Sequence, residues 1–370
     1  MLTLSLCRVN VLQAKKIISG EGRGYTTGMG KRIRTSADGR RKMEDVARLT
    51  GVSLSTVSRV IREPHRVAEP TRLKVETAIA STGYVPNLVA SSLKSERSRL
   101  VACVVPSVEH SFIADVVRGA SEVLRPQGFQ LMLATSDFRP EEEEDVVHAF
   151  LSRRPDAIIL TGLTHTDRTR AMLGAAGIPV IEVGNLSDRP IDMVVGFSNR
   201  EAQKQLTTAM IDAGRRHIGY LLHGGSGQNE RSRDRYEGYR AALAERGIAC
   251  EDQLTTEVEF SYRGGAAGLE QLLAQGHPID ALCCSNDIIA LGALYELQRR
   301  GIKVPETIAI AGFDDHEASS QCVPPLSTVR IPRRVMGRQA GRLIEQALAG
   351  EPPISKIVDV GFTLQFRETF

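Results

Sequence analysis

From Arg99 to the C-terminus, short apolar runs typical of strands alternate with segments of helical periodicity. The strand-like runs are LVACVVP, FQLMLAT, DAIILTG, IPVIEVG, HIGYLLHG, IDALCCSND and TIAIAGFDD. Helical patterns lie at 113–124, 141–151, 201–213, 236–246, 288–300 and 334–348. Such alternation predicts parallel sheets with helices on both faces. Because the segment is too long for one sheet and the pattern restarts near 197–199, we expect two Rossmann-like lobes.

A different pattern occupies residues 42–86, where the chain predicts three short helices. Gly51 separates the first two helices, Ser53 is placed as the N-cap of the second, and Glu69-Pro70-Thr71 begins the third, which Gly83 ends. The apolar positions recur at helical spacing: Met43, Val46, Ala47 and Leu49, then Val57, Val60 and Ile61, then Leu73, Val75, Ala78 and Ile79. Two short helices around a glycine-containing turn form a helix-turn-helix. The alternative is a generic three-helix packing unit.

The order GVSLSTVSRV, then Thr71-Arg72-Lys74-Val75, then Gly83-Tyr84-Val85-Pro86-Asn87 closely resembles the lactose-repressor (LacI/GalR) family. The resemblance implies that the second helix enters the major groove of DNA. It assigns base-edge contacts to Leu54, Ser55 and Arg59, and phosphate contacts to Ser53, Thr56, Ser58 and Asn87. An arginine bound to a guanine edge supplies about 1–3 kcal/mol of discrimination, so Arg59 and Ser55 are the main expected hydrogen-bonding residues.

Residues 87–98 are expected to form a hinge helix and linker. The run NLVASSLKS is too short for a stable isolated helix, because peptides under about 12–15 residues are marginal in water. We therefore expect it to order on DNA. In the resembled family this helix pairs with that of a second subunit in the minor groove, where a leucine wedges between base pairs. Leu93 matches that leucine, and Lys94 follows it.

Residues 1–41 form a basic extension that we expect to be disordered. Residues 1–42 carry ten Lys/Arg against Glu21 and Asp38, about +8, which leaves about −5 elsewhere because the total is +3. The extension shows no sustained periodicity, and Arg8 interrupts its first apolar run, which argues against a signal peptide. It is either an arm that adds salt-sensitive phosphate affinity or an extension upstream of a true start at Met29.

Composition is that of an ordinary globular protein, with 42% hydrophobic and 25% charged residues. The six cysteines have no CxxC or Cys/His ligand spacing and indicate buried free thiols in a reducing cytoplasm. No Ser-His-Asp constellation, metal site, cofactor motif or membrane segment is legible, so we expect a cytoplasmic protein that is not an enzyme.

The resemblance to the LacI/GalR family extends from about residue 43 to the C-terminus. It implies that residues 99–370 form a two-lobed periplasmic-binding-protein-like (type I) sensor, an α/β domain that follows the all-α helix-turn-helix DNA-binding domain. Chain crossings are expected near 197–199, 329–331 and 361–364. Lobe 1 would comprise about 99–197 and 331–361, and lobe 2 about 199–329 and 362–370. A small-molecule effector would bind between the lobes, at the carboxyl ends of the strands.

Residues at or just after the predicted strand ends are expected to face this cleft. The first lobe supplies Ser107, Phe112, Thr161, Thr164, His165 and Glu182. The second supplies Arg235, Phe260 or Tyr262, Asn286 and Asp314. Arg235, Asn286 and Asp314 coincide with positions that bind effector hydroxyls or anchor the ligand in the resembled family. The alternative for each is a structural role as a loop cap or inter-lobe contact.

A more particular resemblance is to the gluconate-operon repressors of that family, through 160–172, 178–185, 195–199 and 331–337. Arg333 stands where lactose-type sensors place an aromatic residue at the cleft, and a guanidinium there suits a carboxylate ligand. With Arg235 it would offer two cations to a sugar acid. The alternative for Arg333 is a capping or solvated residue at a helix start.

These features predict a transcriptional repressor that binds double-stranded operator DNA as a homodimer and is released by a sugar acid, D-gluconate being the expected effector. Within the same class, the effector could instead be a neutral sugar, a nucleoside or a phosphorylated sugar acid. A solute-binding protein or sugar-modifying enzyme built on the same lobes is the alternative from another class. It would need a signal peptide or a catalytic constellation.

Overall fold

The computed structural model describes residues 41–85, 97–108, 111–224 and 229–370. They divide into a small helical unit and a larger α/β unit, with the division at residues 88–89. Asn87, Leu93 and Lys94, and with them the predicted hinge helix, lie outside the described residues.

The small unit contains α1 (Met43–Thr50), α2 (Leu54–Arg62), a 3-10 turn (Pro64–Arg66) and α3 (Glu69–Thr82). Gly51 ends α1 with φ 66°, a left-handed conformation that glycine adopts without steric cost. The Ser53 side chain accepts a hydrogen bond from the backbone N–H of Thr56 and so caps α2 as predicted. A small core from the three helices holds them together, with Val46, Val57, Val60, Val75, Ala78 and Tyr84 buried.

The larger unit contains three sheets. Lobe 1 holds β1 (Leu100–Val105), β2 (Gln130–Thr135), β3 (Ala157–Thr161), β4 (Val180–Val183), β5 (Met193–Gly196) and β11 (Ile357–Asp359). Their spatial order is β11-β5-β4-β3-β1-β2, and every pairing is parallel. Its helices are α4 (Ser111–Leu124), α5 (Pro140–Leu151), α6 (Asp167–Ala175) and α12 (Arg333–Ala349).

Lobe 2 holds β6 (Ile218–Leu222), β7 (Thr255–Glu257), β8 (Ala281–Cys284) and β9 (Ala309–Ala311), in the parallel order β7-β6-β8-β9. Its helices are α7 (Asn199–Asp212), α8 (Glu230–Glu245), α9 (Tyr262–Ala274), α10 (Asp287–Arg299) and α11 (Glu317–Gln321). A third sheet pairs β10 (Thr328–Arg330) antiparallel with β12 (Thr363–Gln365). The observed lobes therefore match the predicted fold class.

Helix α8 begins at Glu230, six residues before the start predicted from sequence. The polar run RSRDR carries no apolar periodicity, yet Arg231, Ser232 and Arg235 are buried. Asn229 caps the helix by accepting a hydrogen bond from the backbone N–H of Ser232. The first turns of α8 are therefore buried by polar contacts, which a hydrophobic pattern cannot reveal.

Five cysteines are among the described residues, and all five are free thiols. Cys103, Cys283 and Cys284 are buried as expected, and burial raises the pKa of the Cys103 and Cys283 thiols to about 12. Cys250 and Cys322 are only half-buried. No helix in the described part of the chain is both long and apolar enough to cross a membrane.

Helices α4 and α12 pack backbone to backbone through glycine. A Cβ added at Gly337 would lie 2.0 Å from the carbonyl oxygen of Val116, and one at Gly119 would lie 2.3 Å from that of Arg334. Since backbone atoms cannot move aside as a flexible side chain would, the two helices can approach this closely only because these positions lack a side chain.

We expect Gly337→Ala to lower the free energy of unfolding by about 1–3 kcal/mol, because the methyl group must push the two helices apart. Gly174→Ala is the matched control, since a Cβ at Gly174 meets no atom within 4 Å. That change should be neutral or stabilise α6 by up to about 1 kcal/mol. Urea denaturation followed by circular dichroism measures both; equal effects of the two variants would contradict the packing argument.

Candidate functional site

An open cavity of about 610 Å³ lies between the lobes at the carboxyl ends of the parallel strands. In each sheet the cavity lies at the topological switch point, where two neighbouring strands lead to next strands on opposite sides. These neighbours are β1 and β3 in lobe 1, and β6 and β8 in lobe 2. Six predicted residues line it: Ser107, Phe112, Arg235, Phe260, Asn286 and Asp314. Tyr262, the alternative to Phe260, instead stacks on Tyr295 with the ring centroids 6.4 Å apart.

Arg235 is the most constrained side chain of the cavity. Its Nε donates to Asn199 Oδ1 at 2.9 Å and its Nη1 to the carbonyl oxygen of Ser285 at 2.5 Å. The guanidinium also lies 4.0 Å from the centroid of the Phe313 ring, and its Nη2 is 3.9 Å from Asp314 Oδ1. Burial lowers the pKa of Arg235 from its ordinary value. These contacts hold the guanidinium in place, with Nη2 on the side of Asp314.

Asp287, the first residue of α10, braces the loop that presents Asp314. It accepts hydrogen bonds from Thr328 Oγ1 at 2.5 Å, Ser319 Oγ at 2.6 Å and the backbone N–H of His316 at 2.8 Å. Burial, opposed by these hydrogen bonds, raises the pKa of Asp287 to about 7. Asp314 itself has φ 109°, a conformation rare for a residue with a side chain. The surrounding contacts hold it there.

Four buried polar atoms of the cavity lining have no hydrogen-bond partner among the described residues: Arg231 Nε, Ser232 Oγ, Ser285 Oγ and Asp314 Oδ1. Leaving a buried donor or acceptor unsatisfied costs about 1–3 kcal/mol. Buried atoms of this kind are normally satisfied, so these four atoms leave donors and acceptors available to a polar ligand in this cavity.

Aromatic rings also line the cavity. His223 stacks on Phe260 at a centroid distance of 4.8 Å, and Phe138 meets His223 edge-on at 5.7 Å. Arg231 lies over the Phe112 ring, 5.8 Å from its centroid. A few directed polar groups set among aromatic rings are typical of a small-molecule site. Sequence reasoning missed Arg231, although its position one helical turn before Arg235 was a usable signal.

Thr161 and Thr164 line a neighbouring cavity of about 330 Å³, which shares Arg231 with the first. Here Glu230 of lobe 2 accepts hydrogen bonds from the backbone N–H of Leu163 at 3.1 Å and from Thr164 Oγ1 at 3.2 Å. The two lobes therefore contact each other directly beside the main cavity.

His165 and Glu182, which were predicted to face the cleft, line neither cavity. The His165 side chain is fully buried, with Nδ1 2.5 Å from Glu143 Oε1 and Nε2 3.1 Å from Glu182 Oε1. Glu182 also accepts from the backbone N–H of Ile191 at 2.6 Å. The polar atoms of both side chains are engaged in this hydrogen-bond network inside lobe 1. The structure therefore indicates that they stabilise the lobe.

The structure does not bring Arg333 to the main cavity either. Its Nε lies 3.1 Å from Asp115 Oδ2, and its side chain lines an adjacent depression with Asp115, Asp315 and Arg330. The second cation of the main cavity is Arg231 rather than Arg333.

In the helical unit, α2 presents Leu54, Ser55 and Arg59 to solvent, whereas Val57 and Val60 on its other face are buried. Ser53 Oγ lies within hydrogen-bond distance of Ser55 Oγ at 2.7 Å and Thr56 Oγ1 at 2.8 Å. Ser58 accepts from Arg62. The predicted base-contacting residues thus lie together on one exposed face.

Comparison with known proteins agrees with this geometry. The family model described as bacterial regulatory proteins, lacI family, matches residues 42–87. The family model of a periplasmic binding protein-like domain matches residues 207–370. The HTH-type transcriptional regulator GntR of Escherichia coli K12 is 37% identical over 322 residues, covering 87% of this chain and 96% of the relative. The chain belongs to the LacI family.

Solved structures support the same assignment. A LacI-family regulator from Silicibacter pomeroyi superposes with a TM-score of 0.83 at 34% identity, covering 89% of this chain and 99% of the other. The lac repressor dimer bound to operator and the anti-inducer ONPF gives a TM-score of 0.76 at 25% identity over 89% of this chain and 99% of the other. As a LacI-family member, the chain is a DNA-binding transcriptional repressor with a small-molecule sensor.

Arg59→Ala should cost about 1–3 kcal/mol of operator affinity and relax preference at one base position, because a lost guanidinium-to-base contact is sequence-specific. Arg66→Ala is the control for removal of a positive charge, since Arg66 pairs with Glu63 at 3.1 Å outside α2. Fluorescence anisotropy on operators substituted one base pair at a time measures both. A uniform loss across all operators would assign Arg59 to phosphate instead.

The His165 network predicts a pH-dependent stability of the sensor. Burial lowers the pKa of His165, but hydrogen bonds to Glu143 and Glu182 outweigh it and raise the pKa to about 9, from 6.5 in an unfolded chain. The imidazolium therefore contributes about 3 kcal/mol at pH below 6.5, and this is lost as pH rises through 9. Urea titrations between pH 6 and 10 should show the decline, and His165→Gln should remove it.

His148→Gln is the matched control, because His148 is an exposed histidine on α5, the helix that also carries Glu143. This variant should keep the wild-type decline in stability with pH. A decline of equal size in His165→Gln would show that another group titrates.

Proposed function

We propose that this repressor binds its operator as a homodimer and is released by a sugar acid, D-gluconate, held between the two lobes. The observation that carries the ligand class is the pair of buried guanidinium groups, Arg231 and Arg235, on one face of α8 at the cavity wall. Two cations there suit a carboxylate through charge-assisted hydrogen bonds. The resemblance of 160–172, 178–185 and 331–337 to the gluconate-operon repressors supports gluconate within that class.

Each end of such a ligand has complementary groups. Arg231 Nε has no hydrogen-bond partner in the described structure, and we assign the effector carboxylate to it and to Nη2 of Arg235. Asp314 Oδ1 and Ser285 Oγ, which also have no hydrogen-bond partner in the described structure, would bind the hydroxyl groups, together with Asn286. Phe260 and Phe112 would contact the carbon chain. Arg235, Asn286 and Asp314 thus keep the roles proposed from sequence, and the second cation changes from Arg333 to Arg231.

Release would follow from linkage between the two sites. A ligand that prefers one arrangement of the lobes opposes operator binding if the operator prefers the other, with couplings of about 1–3 kcal/mol typical of allosteric proteins. We propose that the ligand rotates lobe 1 against lobe 2 and separates the paired hinge segments around Leu93. The base contacts of Ser55 and Arg59 and the phosphate contacts of Ser53, Thr56, Ser58, Asn87 and Lys94 would then be lost together. Leu54 contributes apolar contact only.

The first test is anisotropy of the purified chain on DNA upstream of its own and neighbouring genes, titrated with gluconate, 6-phosphogluconate, 2-ketogluconate and a neutral sugar. Gluconate should release the DNA. Tighter operator binding on addition of gluconate would replace release with corepression, and indifference to every acid would remove the sugar-acid assignment.

Arg231→Gln should weaken gluconate binding by roughly tenfold to a hundredfold, because a hydrogen bond to a charged group contributes about 1.5–3 kcal/mol. Arg233→Gln is the matched control: it removes an exposed arginine from the same helix at the same net charge. Isothermal titration calorimetry with gluconate measures both variants. Equal losses would show that general charge, and not a contact, is responsible.

A neutral sugar is the second candidate effector, favoured by the stack of His223 on Phe260, which suits the face of a sugar ring. In that case Arg231→Gln would leave affinity for the active sugar nearly unchanged. The same calorimetry with the neutral sugar separates the two candidates.

A further inference from the structure

Arg333 joins two elements that the sequence keeps far apart. Its Nε lies 3.1 Å from Asp115 Oδ2 on α4, and its Nη2 donates to the backbone carbonyl of Asp315 at 3.4 Å. The side chain is 11% exposed, and Nη1 is buried with no hydrogen-bond partner in the described part of the chain. One planar guanidinium therefore contacts both α4 and the loop after β9.

Those two elements both line the effector cavity. The first turn of α4 supplies Phe112 and Ile113, and the loop supplies Asp314, the residue before Asp315. Arg333 is absent from the lining of the cavity although it contacts both walls. Its contacts lie one or two residues beyond the positions that face the cavity.

The loop needs external support, because its backbone is strained. Asp314 has φ 109° and Asp315 has φ 51°, both in the region that favours glycine. Such residues persist where surrounding contacts over-determine them. The Asp315 carboxylate accepts from Arg330 Nε at 2.5 Å and Arg367 Nη2 at 2.6 Å, which leaves its carbonyl oxygen for Arg333.

We infer that Arg333 is a positioning residue that ties α4 to the Asp314–Asp315 loop and thereby sets the distance between the walls that grip the effector. It acts on the ligand through Phe112 and Asp314 without touching it. Asp115 is the partner in this role, since it anchors the guanidinium to α4. Lysine cannot replace the arginine fully, because a single ammonium group lacks the planar fork that reaches two acceptors in different directions.

The test compares Arg333→Met, Asp115→Asn and the double variant in the full-length chain, with gluconate and the neutral alcohol D-glucitol as calorimetric probes. Both single variants should weaken gluconate binding by a similar factor of about ten, and the double variant should be no weaker than either. The ratio of gluconate to glucitol affinity should stay at its wild-type value. If Arg333 instead binds the carboxylate, Arg333→Met abolishes that ratio while Asp115→Asn preserves it, and the inference is overturned.

Arg334→Met is the matched control. Arg334 is the next residue, is exposed and pairs with Glu122, also on α4, so it spans the same two helices without a contact to the loop. It should leave effector affinity unchanged. Arg333→Lys, which keeps the charge and the reach to Asp115, should fall between wild type and Arg333→Met.

The choice of probes rests on the proposed function, so hydrogen exchange of the ligand-free chain provides an independent readout. Arg333→Met and Asp115→Asn should speed exchange in 112–118 and 313–317 together, and Arg334→Met should not. Unchanged exchange in both segments would refute the inference. If the wild-type chain binds neither probe, the sugar-acid proposal fails while the exchange data still decide the role of Arg333.

Discussion

The buried guanidinium of Arg235 is the interaction on which the arrangement of the sensor depends. It bonds to Asn199 at the first crossing between the lobes and to the Ser285 carbonyl at the end of β8, and it faces Asp314. Asn199 in turn donates from Nδ2 to the carbonyl oxygen of Gly184 in lobe 1 at 3.0 Å. A buried charge is costly unless it is fully engaged, so the loops that supply its partners are held in one arrangement. These loops line the cavity between the lobes.

Satisfied and unsatisfied polar groups divide the site into a frame and a recognition surface. Asn286 Oδ1 and Asp287 are engaged in the frame, since Asn286 Oδ1 caps α10 by accepting from the backbone N–H of Ile289 and Asp287 holds the loop beyond Asp314. Arg231, Ser285 and Asp314 line the cavity and each has a buried atom without a hydrogen-bond partner in the described structure. Because the frame is complete without ligand, a ligand of this cavity would meet a preformed surface, which reduces the ordering cost of binding.

The sequence predicted the lobes well because strand identity depends on local apolar runs. Each of the seven strand-like runs contains a strand of one of the two parallel sheets, and residues directly after those strands, such as Ser107 and Asn286, do line the cavity. A position directly after a strand is enough to predict that such a residue lies at the cavity, since the carboxyl ends of parallel strands meet at one edge of the sheet.

Side chains that depend on tertiary contacts were not predictable in the same way. The polar start of α8 has no apolar periodicity, so a hydrophobic pattern does not reveal Arg231, although its four-residue spacing from Arg235 places both on one helical face. His165 follows β3 as a cleft residue would, but Glu143, on a different helix, turns it into the interior. Arg333 likewise forms an ion pair with Asp115, a partner that no local sequence pattern identifies.

Contacts between the lobes provide a physical basis by which a small ligand shifts the conformational equilibrium of the protein. Glu230 and Asp234 of α8 bond to Thr164 and Asn185 of lobe 1, on either side of Arg231 in the sequence of that helix. In the proposed complex, a ligand held by Arg231 from lobe 2 and by groups such as Ser107 from lobe 1 would keep both sets of contacts only while the lobes stay together. Its binding energy therefore differs between closed and separated lobes, and that difference is the only quantity by which an effector can shift a conformational equilibrium. The strength of the response should accordingly follow the inter-lobe contacts of α8 as much as the chemistry of the ligand.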